Sequence, residues 1–249
     1  MAQVLTSSVI SAVKKNTFVD YDSPLLDWYK PFFFPAAAQG MWVVRILPLD
    51  DKIPIRNLFL PDRKTLRGEL KQTWEGVWEK LGERRLAGLV QDFMDDDDKA
   101  SVGGAERETH INRYPVDISE FLILEEMTPK LLYGGEERLG LADYCTLWSD
   151  GKININFAPV QVIEVLPGMN RFLAEKVVEH RNVTALKRAS DLRSIPSFPP
   201  RAMGTLMNLV AFRSQYFNLQ IELLEDTGGG TSFSIIFDRS GRIVRWEEI

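Results

Sequence analysis

Near residue 215 the hydrophobic period of this chain changes to two, and that change limits the possible folds more than any other feature. Phe217, Leu219, Ile221 and Leu223 alternate with Asn218, Gln220 and Glu222, the pattern of a strand with one buried face. Gly228-Gly229-Gly230 then reads as a turn, 232–237 as a second strand, Asp238-Arg239-Ser240-Gly241 as another turn and 242–246 as a third strand. Such a meander needs another layer against its apolar face. The run Met41-Trp42-Val43-Val44-Arg45-Ile46-Leu47, ended by Pro48 and Asp50-Asp51, is the other strand-like segment. Residues 3–15 set Val9, Ile10 and Val13 on one helical face. One sheet built from both ends of the chain, with this helix packed on it, accounts for all three.

The interior is helical in pattern. Residues 64–93 read as helix, with Leu86, Leu89, Val90 and Phe93 in an apolar stripe. From about 118 to 210, short helical segments at 120–127, 159–166, 171–181, 190–195 and 200–210 alternate with Pro and Gly breaks. The expected organisation is a discontinuous α/β domain, 1–85 with 211–249, and an inserted helical domain, 86–210. Residues 20–39, with Pro24, Pro31 and Pro35, read as a loop in which Phe32-Phe33-Phe34 is an exposed contact patch or a plug of the core.

Hydrophobic residues make up 45% and charged residues 26% of the 249, ordinary for a folded domain. The net charge of −5 repels phosphate backbones. The single cysteine, Cys145, forms no intrachain disulfide and reads as a buried apolar residue. No run reaches the roughly 18–20 apolar residues that span a bilayer, and no signal peptide is evident, so the chain reads as soluble. Met1-Ala2 fits a natural start or a truncation equally.

The densest chemistry lies at 91–108, where Asp92, Asp95, Asp96, Asp97, Asp98, Glu106 and Glu108 face only Lys99 and Arg107. Adjacent carboxylates repel unless solvated or bound to a cation, and an oxygen-rich cluster suits Ca²⁺. Asp95, Asp97 and Glu106 match the first, third and twelfth positions of an EF-hand loop, but Lys99 and Ala100 stand where that loop needs an oxygen ligand and glycine. A metal loop and a solvated acidic loop both remain open on these residues alone.

A second segment, 166–181, is like a helix-hairpin-helix element, with Pro167-Gly168 closing one helix and Asn170 capping the next. Asn170 replaces the second glycine that lets backbone N–H groups approach phosphate, and basic residues at 164–201 are interspersed with Glu164, Glu175, Glu179 and Asp191. A structural hairpin is the leading reading; a DNA-binding or DNA-uptake factor is the rival. His110 and His180 lie in no metal-ligand spacing, and neither HExxH nor GxSxG occurs. A non-enzymatic protein is expected, with a metal-dependent hydrolase at the acidic loop as the weakest option. Trp28, Trp42, Trp74, Trp78, Trp148 and Trp246 read as core or interface anchors.

Asp92-Phe93-Met94-Asp95-Asp96-Asp97 with Gly104-Ala105-Glu106, the stretch 120–133, and Lys152-Ile153-Asn154-Ile155-Asn156-Phe157-Ala158-Pro159 followed by Val160-Gln161-Val162-Ile163 occur in this order. Together with the hairpin-like segment and Phe212-Arg213-Ser214-Gln215-Tyr216-Phe217, this order resembles the minor pseudopilin K family of type II secretion systems, over roughly residues 40–225. The resemblance implies an α+β fold, an N-terminal helix on an antiparallel sheet with a large inserted helical domain. It implies bound Ca²⁺, with Asp95, Asp97, Asp98 and Glu106 as ligands and Asp92 and Glu108 behind them. It also implies hetero-oligomeric assembly with other minor pseudopilins at the tip of a pseudopilus and a role in protein secretion; the acidic charge balance and Asn170 argue against a nucleic-acid partner. The family's apolar N-terminal membrane helix is not present in this sequence; the resemblance implies attachment by such a helix to the bacterial inner membrane, facing the periplasm.

Overall fold

The computed structural model describes residues 2–15, 20–36, 40–225 and 230–249. Of the turn expected at Gly228-Gly229-Gly230, only Gly230 lies within them. In chain order the first half contains helix α1 (Ala2–Lys15), strands β1 (Phe32–Ala36), β2 (Gly40–Pro48) and β3 (Ile53–Pro54), and helices α2 (Gly68–Lys80) and α3 (Leu86–Met94). Helices α4 (Pro129–Tyr133) and α5 (Leu141–Tyr144) follow, then the two-residue strands β4 (Cys145–Thr146) and β5 (Ile153–Asn154). Helices α6 (Val160–Glu164), α7 (Arg171–Val183), α8 (Ala189–Arg193) and α9 (Met203–Leu209) lead to β6 (Val210–Ala211). Three long strands finish the chain: β7 (Tyr216–Glu225), β8 (Ser232–Asp238) and β9 (Ile243–Glu248).

The expected union of the two ends is present as one antiparallel sheet in the order β1-β2-β7-β8-β9. Its central pair sets Val44 opposite Ile221 and Ile46 opposite Leu219, so the apolar sets of both ends share a face. Against that face α1 packs Leu5, Ile10 and Val13, with Phe217 stacked on Phe237 beneath. Lys14 and Lys15 in the last turn of α1 complement its dipole.

Two expectations are corrected. Part of the loop at 20–39 is the edge strand β1, paired to β2 from Phe32↔Val44 to Ala36↔Gly40; an edge tolerates Pro35, which lacks an N–H. The helical pattern at 64–93 is two helices, broken at Gly82, whose φ of +73° suits glycine.

The helical unit has a separate core around Trp74 and Trp78, which meet edge to face at 5.4 Å. Phe93, Phe121, Leu132, Val162, Val177 and Leu206 join it, and so do Ile53, Ile55 and Leu58. The boundary expected at 85/86 therefore cuts through this core, which takes in α2 and begins just after β2.

Chain segments cross between the two cores at a polar joint. Asp50 accepts from the backbone N of Gln215 at 2.7 Å, and Asp22 accepts from the N of Ser214 at 2.7 Å and pairs with Arg239. Asn154 donates from Nδ2 to Ser214 Oγ at 2.8 Å. Asp22 and Asp50 are both buried, and these bonds satisfy them.

Candidate metal centre

Helix α3 presents Asp92 from its last turn and is capped by Asp95, whose extended backbone (φ −71°, ψ 175°) turns the chain away. The following loop folds back over the helix. Ser101 N donates to Asp92 Oδ1 at 2.8 Å, and a Cβ at Gly104 would lie 2.0 Å from Asp92 Oδ2. At Gly88, a Cβ would come within 2.7 Å of both Val102 O and Gly104 N. Glycine at 88 and 104 is what lets the loop backbone lie directly on the helix and carry Glu106 back toward Asp95.

The result is a cluster in which one oxygen each of Asp95, Asp97 and Glu106 lies within 4.8 Å of the others. Two oxygens held 2.3–2.6 Å from a shared calcium ion can be no more than about 5 Å apart, so the spacing fits such an ion. Asp95 is buried, and Asp95 Oδ1, Glu106 Oε1 and the neighbouring Asp92 Oδ2 are buried acceptors without a hydrogen-bond partner. Orphaned carboxylate oxygens of this kind are costly unless a cation completes them. Burial, reinforced by Asp92, Asp97 and Glu106, pushes the Asp95 carboxyl up to about 7. Burial, then Asp92, raises Glu106 as well, opposed by His110.

The other expected ligands are placed differently. Asp98 and Glu108 are exposed and lie outside this trio, while Asp92 is fully buried behind it. Asp96 turns away to Arg63, at 3.5 Å. His110 went unremarked as a neighbour of the acids. Its buried ring sets Nδ1 3.5 Å from Glu106 Oε2 and packs edge-on against Phe93 at 5.8 Å. The signal was its position four residues after Glu106.

The hairpin-like segment is positioned as its caps predict: Gly168 has φ +74°, and Asn170 Oδ1 accepts from Leu173 N at 2.9 Å. Arg181 is not turned to solvent. It is buried, and its Nη1 donates to the carbonyls of Ile155 at 2.6 Å and Ala158 at 2.7 Å. Lys176 pairs with Glu179 and Arg171 with Glu175, each at 2.7 Å. Burial pushes the Cys145 thiol up to about 12, unsuited to a nucleophile. Among the described residues no helix is long and apolar enough to cross a membrane.

No family model matches the chain, and no curated protein matches it. Its fold is similar to that of a chain in the crystal structure of the GspK-GspI-GspJ complex from the enterotoxigenic Escherichia coli type 2 secretion system. The TM-score is 0.75 at 17% sequence identity, with 99% of this chain and 92% of that chain covered. The α+β architecture expected from the sequence is the architecture of that neighbour.

Proposed function

We propose that this chain is a non-enzymatic minor pseudopilin, a calcium-stabilised tip subunit that assembles with other minor pseudopilins in a type II secretion pseudopilus and supports protein secretion. The observation that carries the reading is full-length likeness in fold to a chain of the GspK-GspI-GspJ complex. That chain's place in a three-component complex of a type 2 secretion system supports partners from the same machinery here, which in this reading are minor pseudopilins at the inner membrane, facing the periplasm. Asp95, Asp97 and Glu106 would hold the ion, with Asp92 behind them. The cation supplies positive charge to a buried anionic cluster and ties the loop at 95–106 to α3.

The DNA-binding rival has less support, because Arg181 is spent on carbonyls inside the fold. Thermal unfolding in excess EDTA and then in calcium tests the metal half of the reading. At calcium about a hundredfold above Kd, mass action adds about 3 kcal/mol to stability. That increment should vanish in Asp95→Asn/Asp97→Asn; superimposable curves for the unmodified chain would overturn the calcium assignment. Co-purification with the remaining minor pseudopilins of the same secretion system tests the assembly half, and its failure would overturn that.

A further inference from the structure

Away from the acidic loop, a cleft of about 400 Å³ is lined by Arg56, Arg63, Arg67, Tyr114, Leu60 and Pro61. Three guanidinium groups around one opening are notable on a chain whose net charge is −5. The neighbouring acids only partly offset them. Arg67 is matched by Glu69 at 2.5 Å, and Arg63 reaches Asp96 only at 3.5 Å. Asp62 is used in the turn itself, accepting from Lys64 N and Thr65 N at 3.0 Å. Among the described residues Arg56 pairs with no carboxylate. Its Nη2 donates to Pro115 O at 3.2 Å, and its guanidinium lies 5.1 Å over the Trp148 ring.

The arginines are held rather than waving in solvent. Arg63 lies 5.6 Å over the Tyr114 ring and donates from Nη2 to Asn112 O at 2.8 Å. Arg63 and Asn112 both adopt positive φ, +57° and +46°; for arginine that conformation is uncommon and persists only where surrounding contacts impose it. The Nε atoms of Arg56 and Arg63 are buried and have no partner. A guanidinium fixed on an aromatic face is held in place for forked recognition of a carboxylate through its outer N–H groups.

We propose that this cleft binds an acidic peptide segment of a protein partner, its carboxylates paired to Arg56 and Arg63 and an apolar side chain lying on Tyr114, Leu60 and Pro61. The apolar wall of Tyr114, Leu60 and Pro61 suits a peptide side chain better than a bare inorganic anion or a phosphate backbone.

Fluorescence anisotropy of the whole chain with a labelled peptide of alternating glutamate and leucine tests this, with a lysine-leucine peptide as control. The glutamate peptide should bind, more weakly as salt rises, and the lysine peptide should not. Arg56→Gln/Arg63→Gln should weaken binding at least about tenfold, and Arg56→Lys should weaken it measurably by keeping charge without the fork. Arg56→Lys carries the test if the double variant fails to fold. No binding of the glutamate peptide, equal binding by Arg56→Lys and the unmodified chain, or binding of orthophosphate or single-stranded DNA in place of the peptide would each overturn the proposal.

Discussion

Gly104 leaves no room for a side chain: the smallest one would enter the Asp92 carboxylate. Gly104→Ala must push the loop off α3 or drive Asp92 from its position, and overpacking of this kind costs about 1–3 kcal/mol. Urea unfolding of the variant should show that loss, together with a smaller calcium increment. A calcium response equal to that of the unmodified chain would mean that the loop can lift without disturbing the cluster. Three of the candidate ligands, Asp95, Asp97 and Glu106, were legible from spacing and do converge. Asp98 and Glu108, which only the family resemblance implied, are exposed. In an unbroken acidic run every residue has the same local claim. Only the tertiary fold, which ends α3 at Met94 and folds the loop back at Gly104, decides which carboxylates turn inward.

At the scale of elements, α7 is fixed from both ends. Asn170 caps its start, and Arg181, near its end, ties it to the segment between β5 and α6. Arg181→Ala would leave two buried carbonyls without donors, a loss of about 2–3 kcal/mol, whereas Lys176→Ala on the same helix should cost under about 0.5 kcal/mol. Equal effects on chemical unfolding would contradict this division between buried and exposed. The strand with clean alternation, β7, and the helix with a clear stripe, α1, were readable because one face of each is buried against the core, whereas β8 and β9 were readable from the turn at 238–241 that separates them. β1 was not: its row Phe32-Phe33-Phe34-Pro35 has no alternation and contains a proline, and only its edge position makes a strand of it. The break between α2 and α3 was missed for a different reason. Both helices face the same core, so the apolar period continues across Gly82 although the backbone does not.

For the molecule as a whole, the joint between the cores makes stability depend on pH. Burial pushes Asp50 up to about 7, and burial likewise raises Asp22 and Asp51. The unfolded chain releases the Asp50 proton near pH 3.9, about three units lower. Between these values the folded state binds more protons, so Asp50 lowers stability as pH rises from about 4 to about 7, by an amount on the order of a few kcal/mol. Asp50→Asn removes that one titration. The unfolding free energy of the variant minus that of the unmodified chain should therefore increase with pH across this window; a constant difference would remove Asp50 from the account.

The pairing of β2 with β7 has a further consequence for how the chain acquires its fold. These strands are antiparallel neighbours, and Leu49 N still donates to Tyr216 O at 2.9 Å beyond the last paired residue of β2. They form, in effect, a hairpin whose connecting turn has grown into most of the chain. Closing so long a loop by random search is slow, although its entropic cost grows only with the logarithm of its length. A helical unit that has already condensed presents its two ends side by side and reduces that search to a local zipping. The natural order of events is then from the insert outward, with the sheet completed last by the two ends of the polypeptide.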